Sequence, residues 1–356
     1  MNKPLFNYVA GTGGIGIGRF FELEGNHTLG RNESRLAHFT EYRDYCKLHI
    51  ILHYVAVFLR GEIPVYAIGH VGRDDEGKVL KKEMEKAGIN VSHVSEDSKN
   101  PTMYSICCQY PDGEGFNVTA NNSACRTVGR ADVDRFFNET GAAGQGIVIA
   151  APEVPLETRI HLLKKGKEKL CFNFATVLSG EAEEFAENDG VSMTDLIALN
   201  MDEAFAFASL SKQSADTDDE KITGCINYLK SFNPEITVII TLGGKGAVGS
   251  KRDLFYRSEA VNAPVISTAG AGDCFLGTMA AAMIRGIDIL PQKVIYKNQV
   301  CAMDLGILTS GKKITCKDTI DFSMTPESLL KFALDYNFYI SDEVKETFFN
   351  TQENAN

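Results

Sequence analysis

The chain has 356 residues, and 36 Lys and Arg against 47 Asp and Glu leave a formal net charge of −11. That length holds two average domains or one large α/β unit with an appendage, and it buries a core without disulfide or metal staples. The acidic balance argues against nucleic acid and against anionic membrane surfaces, both of which call for basic patches.

In chain order, Met1 to Gly18 carries one Lys and a glycine-rich apolar stretch, a poor signal-peptide core. A strand is expected over Leu5–Ala10, running into Gly11-Thr12-Gly13-Gly14-Ile15-Gly16-Ile17-Gly18. Residues 19–44 are polar and hold Arg19, Arg31, Arg35 and Arg43 without a sustained helical period. A helix follows over about Cys46–Leu59; its apolar stretch is interrupted by His and Tyr and is too short to span a bilayer. A strand at Val65–Gly69 leads through the loop Gly72–Gly77 to an amphipathic helix ending at Ala87-Gly88. Met103–Tyr110 and Phe116–Thr119 flank Pro111-Asp112-Gly113-Glu114-Gly115 as a hairpin. From Ile147 onward, strands at Ile147–Ala151, Leu170–Asn173, Leu196–Asn200 and Val238–Leu242 alternate with helical stretches, the pattern of βαβ crossovers and a parallel sheet. After about Thr325 the chain is helical through Leu329, Leu330, Phe332, Ala333 and Leu334, then polar. The expected organisation is one α/β domain over 1–325, with a small β appendage from about 15–44 and 101–127, and a helical extension over 326–356. The nine cysteines form no CxxC pair and sit mostly in apolar stretches, as reduced thiols in a cytoplasmic protein do.

Two glycine motifs compete for the chemistry. Gly11-x-Gly13-x-x-Gly16 follows a strand and spells a dinucleotide fingerprint, which would make the chain an NAD-linked oxidoreductase. What comes next, Arg19-Phe20-Phe21-Glu22-Leu23-Glu24-Gly25, is not the apolar-periodic helix that such a fold needs. The second motif is sharper. Gly270-Ala271-Gly272-Asp273 opens a helix in which Phe275, Leu276, Met279, Met283 and Ile284 share one face, with Gly286 as its stop. Glycines at a helix N-terminus offer unpaired N–H groups and the positive dipole end to an anion. A carboxylate beside them, Asp273, can take a proton from an attacking hydroxyl; its plainer reading is an acidic residue capping a helix. Upstream, Thr241-Leu242-Gly243-Gly244-Lys245-Gly246 is a strand end opening into a glycine turn. Asn200 and Glu203 follow another strand end; they suit a hydrated Mg²⁺ beside phosphates, and equally a helix cap.

On these segments the chain resembles the ribokinase-like (PfkB) carbohydrate and nucleoside kinases over about residues 5–315. The resemblance rests on Gly270–Asp273, on the family's NxxE at Asn200–Glu203 and on its TxGxxG at Thr241–Gly246. Val71 to Gly77, Pro101-Thr102 and Asn298 match more weakly. It implies a three-layer α/β/α domain with a mostly parallel sheet and a small β-sheet lid, the lid coming from 15–44 and 101–127. It implies a kinase with ATP and Mg²⁺ as cofactors. Asp273 would be the base, and the N–H groups of Gly270, Ala271 and Gly272 would stabilise the transferring phosphoryl group. Asn200 and Glu203 would organise Mg²⁺ through water, and Thr241, Gly243, Gly246 and Asn298 would border ATP. A homodimer joined through the lids is also implied.

The substrate half departs from the family. No Asp follows the first strand, where members bind sugar hydroxyls, and Asp44-Tyr45-Cys46-Lys47-Leu48-His49 lacks their Gly-Gly and Asn. Ser267 replaces an Asp that helps a monovalent-cation site in some members, and Ala269 replaces a Thr, which puts potassium activation in doubt. Arg19, Arg31 and Arg43 lie in the stretch that should approach the substrate, where guanidinium groups suit a carboxylate or phosphate, although a solvated lid surface explains them as well. Asn121 is a further candidate for meeting hydroxyls. The expected activity is phosphorylation of a hydroxyl on a small sugar-like substrate; the alternative is a nucleotide-binding homologue with a regulatory role and no turnover.

Overall fold

The strand expected at the N-terminus forms slightly later, as β1 (Tyr8–Thr12), with every residue buried. In this computed structural model, which describes residues 5–112, 115–142, 144–211, 217–291 and 300–349, the chain then leaves the main sheet for β2 (Gly16–Leu23) and β3 (Ala37–Tyr45). It returns through α1 (Lys47–Leu59), β4 (Val65–Gly72), α2 (Asp75–Lys86) and β5 (Ile89–Asp97), and leaves again for β6 (Met103–Gln109) and β7 (Gly115–Thr119). Alternation follows: α3 (Arg130–Thr140), β8 (Gly146–Ala150), α4 (Leu156–Glu168), β9 (Phe172–Ala175), α5 (Ala182–Glu187), β10 (Leu196–Leu199), α6 (Met201–Leu210), α7 (Asp218–Phe232) and β11 (Thr237–Thr241). Then come β12 (Ala247–Lys251), β13 (Leu254–Ser258), α8 (Ala271–Ile284), α9 (Ala302–Lys313) and α10 (Pro326–Asp335).

The main sheet has nine strands in the order β13-β12-β11-β10-β9-β8-β1-β4-β5. It is parallel from β5 to β11 and antiparallel at β12 and β13. The second sheet, β3-β2-β6-β7, is the expected lid, built from the two expected segments. The antiparallel edge at β12 and β13, β5 and α3 are elements that the periodicity did not disclose.

The glycine run after β1 is a packing device. No helix follows Gly16; the chain enters β2 directly, so the dinucleotide reading fails on structure. A Cβ on Gly13 would lie 2.8 Å from Ala151 Cβ and 2.9 Å from Leu48 Cβ, and one on Gly16 would lie 2.6 Å from the Met103 carbonyl. These glycines let α1, the end of β8 and the lid strand β6 close around one turn of chain.

The expectation of a one-sided α8 is also corrected. Every residue from Cys274 to Ile284 is buried, because the helix lies between α1 and α9. Gly277 permits the contact with α1, since a Cβ there would run into the Ile51 carbonyl. Gly286, at φ +87°, ends the helix as expected. Beyond α9, Leu329, Ala333, Phe348 and Phe349 join the same core cluster. No helix among the described residues is long and apolar enough to cross a membrane.

Candidate active site

The loop before α8 is held at its turning point by Gly270. Its φ of +76° is left-handed, and a Cβ there would strike the Thr319 carbonyl, so both conformation and space demand glycine. The helix therefore starts at Ala271 with Gly272 and Asp273 in its first turn, where backbone N–H groups have no preceding helical carbonyl to bond. A Cβ on Gly272, Gly243 or Gly244 would meet nothing within 4 Å: all three backbones border open space.

That space is a cavity of about 800 Å³ at the carboxyl ends of β10 and β11, within the range of small-ligand sites. Its walls include Asn200, Glu203, Thr241, Gly243, Gly246, Gly270, Ala271, Gly272 and Asp273, so most of the residues singled out in the sequence meet in one place. Asn298 lies outside the described residues. Arg19, Arg31, Arg43 and Asn121 are not in the cavity wall. The Arg43 guanidinium instead donates to Glu83 Oε1 on α2 at 2.7 Å, and Arg31 and Asn121 are exposed.

Asp273 does not cap its helix. Its carboxylate faces Lys47, the first residue of α1, with Oδ1 3.8 Å from Nζ. The same ammonium lies 3.6 Å from Glu203 Oε1. Asn200 and Glu203 form a reciprocal cap on α6: Glu203 N–H donates to Asn200 Oδ1 at 2.9 Å, and Asn200 N–H to Glu203 Oε2 at 2.9 Å. The capping reading of this pair is thus realised.

Lys47 is a site residue that motif reasoning passed over. Behind it, outside the cavity wall, stands Glu153, just past β8, whose Oε2 accepts from the Lys47 N–H at 3.3 Å; it is a non-glycine residue at φ +77°, a costly conformation that concentrates at functional sites. A Cβ on Gly14 would collide with the Glu153 carboxylate, which accounts for that glycine. Asp44, at the end of lid strand β3, accepts from Cys107 Sγ at 3.3 Å and feels the charge of Asp273. The signal available for Glu153 was its place directly after a parallel strand, where ligands bind in open α/β sheets.

The electrostatics are those of one cation among carboxylates. Asp273, foremost among its neighbours, holds Lys47 firmly charged against the cost of burial. Burial raises Asp273, opposed by Lys47. Burial likewise raises Asp44 and Glu203, and pushes Glu153 up to about 7. A raised carboxylate is a better proton acceptor than a free one.

The residues fit a hydrated Mg²⁺ better than a bare one. Asn200 Oδ1 is engaged by the α6 cap and Glu203 by the cap and Lys47, so neither is free to enclose an ion. Among the described residues no group of three or more His, Cys, Asp or Glu could hold a metal. Mg²⁺ retains waters and takes much of its coordination from phosphates.

An open parallel sheet with a glycine-lined cavity beyond its strand ends and a helix start aimed into it defines a class of anion-binding α/β proteins. Comparison narrows the class. The model of the pfkB family of carbohydrate kinases matches residues 53–290. The bifunctional ribokinase/ribose-5-phosphate isomerase A of Fructilactobacillus sanfranciscensis is 22% identical over 255 residues, 71% of this chain and 45% of that protein. The ribokinase of Staphylococcus aureus is 23% identical over 237 residues, 66% of this chain and 74% of its own length. In three dimensions, Arabidopsis thaliana ribokinase complexed with ribose and ATP superposes with a TM-score of 0.68 at 18% identity, covering 93% of this chain and 99% of that one. The chain belongs to the pfkB family of carbohydrate kinases.

Proposed function

We propose that this chain transfers the terminal phosphoryl group of ATP to a hydroxyl of a small sugar-like molecule. The observation that carries the reading is the meeting, in one cavity wall, of the Asp273 carboxylate with the open backbone of Gly270–Gly272 at the start of α8. Asp273 accepts the proton of the attacking hydroxyl, and the N–H groups at the helix start stabilise charge on the transferring group. Lys47 keeps Asp273 ionised and oriented. Thr241, Gly243 and Gly246 border the nucleotide. Asn200 and Glu203 would hold Mg²⁺ through water, and the ion would supply charge neutralisation at the phosphates. The relatives named ribokinase, and the ribokinase structure with ribose and ATP, support the choice of cofactor and acceptor class.

Asp273 and Glu203 share the one ammonium of Lys47, and Asp44 adds a further carboxyl within the field of Asp273, which favours a neutral or cationic polyhydroxylated acceptor over a sugar acid or sugar phosphate. Free thiols at all nine cysteines support a cytoplasmic setting. The outer face of the lid, with Phe39, Tyr104, Ile106 and Val118 exposed, supports pairing of two copies through their lids, which solution mass measurement checks.

The test is ADP release from Mg·ATP across neutral sugars, amino sugars, nucleosides, sugar acids and sugar phosphates, with Asp273→Asn alongside. Turnover on a neutral or cationic class that falls by about 10³-fold or more in the variant, with ATP binding retained, supports the reading. The second reading, a nucleotide-binding homologue without turnover, is favoured by the missing Asp after β1 and the missing Gly-Gly and Asn before α1. ATP binding with no turnover on any class would establish it.

A further inference from the structure

Lys313, in the last turn of α9, is 0% exposed and is among the largest fully buried side chains of the protein. Its ammonium donates to one backbone acceptor, the Ser267 carbonyl, at 3.3 Å. Among the described residues no carboxylate lies within 4 Å of it. Burial pulls its pKa down, opposed by the fields of the Cys274 and Cys316 thiols and of two carboxylates that are engaged elsewhere: Asp321 Oδ2 accepts from Lys312 at 2.6 Å, and Asp318 Oδ1 from the Arg43 N–H at 2.9 Å. An ammonium buried without an ion pair is costly, and an apolar side chain of the same length would fill the space at lower cost.

Its position gives the charge a use. The last turn of α9 grips the loop that feeds α8. The Ile314 carbonyl accepts from Ile266 N–H at 2.7 Å and Ser267 N–H at 3.1 Å, and Ser310 Oγ donates to the Ala271 carbonyl at 2.8 Å. Lys313 adds a positive point charge to this grip, at a helix carboxyl end whose dipole favours a cation. Ser267 and Ala269, where the sequence departs from the residues of a monovalent-cation site, lie on this same loop.

We propose that the Lys313 ammonium is a built-in monovalent cation that fixes the loop leading to Gly270–Asp273, so that this site works without potassium. The proposal rests on the kinase reading above and makes Lys313 a positioning residue, acting through the loop on the N–H groups at the start of α8.

The experiment compares turnover, and separately Mg·ATP affinity by calorimetry, in potassium, sodium and tetramethylammonium salts at equal ionic strength. The wild-type protein is expected to vary by less than about twofold among them, since its cation is covalent; activation by potassium of about tenfold or more would overturn the proposal. In Lys313→Ala, kcat is expected to fall by about 10²-fold, with the acceptor KM little changed, and to be restored severalfold by ammonium, methylammonium or potassium but not by tetramethylammonium, which is too large for the space. Lys313→Met keeps the volume without the charge and is expected to lose kcat without rescue. A folded Lys313→Met with wild-type kcat, or a folded Lys313→Ala that no small cation repairs, would show a purely structural lysine. If the alanine variant does not fold, the methionine variant and the wild-type salt series decide. If no acceptor is turned over, the kinase reading fails alone, because the affinity measurements in the same salts still test Lys313.

Discussion

Lys47 Nζ stands 3.8 Å from Asp273 Oδ1, which ties the first residue of α1 to the first turn of α8 in the wall of the cavity. Glu203, 3.6 Å from the same ammonium, brings the first turn of α6 into the contact. Three helix starts thus share one charge. Replacing Lys47 by Met removes the one influence among the described residues that holds Asp273 down against burial. The carboxyl pKa then rises, so the acid limb of the kcat/KM profile should move to higher pH, with kcat at neutral pH falling by about 10-fold or more. A pH–rate profile of Lys47→Met superimposable on that of the wild type would remove Lys47 from the catalytic arrangement.

Gly270→Ala should act through geometry alone. The substitution places a Cβ at φ +76° and against the Thr319 carbonyl, so the loop must move at the point where α8 begins. Beyond a stability loss of roughly 1–2 kcal/mol, displacement of the Gly272 and Asp273 N–H groups should lower kcat more than it weakens acceptor binding. Gly272→Ala is the control, because a Cβ there meets nothing within 4 Å and retains helical backbone. Equal kinetic damage in both variants would point to side-chain crowding of the cavity rather than to backbone placement.

The motif Gly270–Asp273 was legible because its chemistry is local: a helix start and a carboxylate in four consecutive residues. The same holds for Asn200 and Glu203, three apart. Lys47 and Glu153 were not legible, since their meaning lies in contacts between distant segments. Lys47 is 226 positions from Asp273, and Glu153 owes its place to a left-handed φ and a glycine 139 positions earlier. Parallel strands bounded by helices showed in the periodicity; the antiparallel edge of β12 and β13 did not, because β12 buries Gly249 and Ser250 along with its apolar residues and β13 places Phe255 at an exposed position, so neither alternates apolar with polar. The glycines at 11, 13 and 16 imitated a nucleotide fingerprint because close packing and phosphate binding both ask for a missing side chain.

Glu153 gives the alkaline side of the stability profile. Burial raises its pKa to about 7, above the ordinary carboxyl value in the unfolded chain. The folded protein therefore holds a proton that the unfolded chain has lost, between roughly pH 4.5 and 7. The stabilisation is complete below that window and disappears as pH rises through it. The loss amounts to roughly 3 kcal/mol at most. Glu153→Gln, which stays neutral, should lose less stability than the wild type in urea titrations between pH 6 and 8. Parallel curves would mean that the carboxyl ionises freely in the fold.

His49 and His53 should govern the acid side with the opposite sign. They sit one turn apart on α1, and among the described residues neither ring has a hydrogen-bond partner on either nitrogen. Burial lowers His49 to about 3 and His53 to about 4, while an unfolded histidine titrates near 6.5. Below pH 6.5 the unfolded chain takes up protons that the folded protein refuses, so stability falls as pH drops, until the folded pKa values are reached. At pH 5 each imidazole should cost about 2 kcal/mol relative to pH 8. His53 packs edge-on against Tyr54 and Phe322 at 5.4 and 5.2 Å between ring centroids, so His53→Phe preserves the aromatic contact while deleting the titration. Because Glu153 works against the histidines over part of this range, the measurement is the difference between variant and wild type rather than either curve alone. His53→Phe should recover about 2 kcal/mol of the stability lost between pH 8 and 5; no recovery would mean that His53 is protonated in the folded core after all.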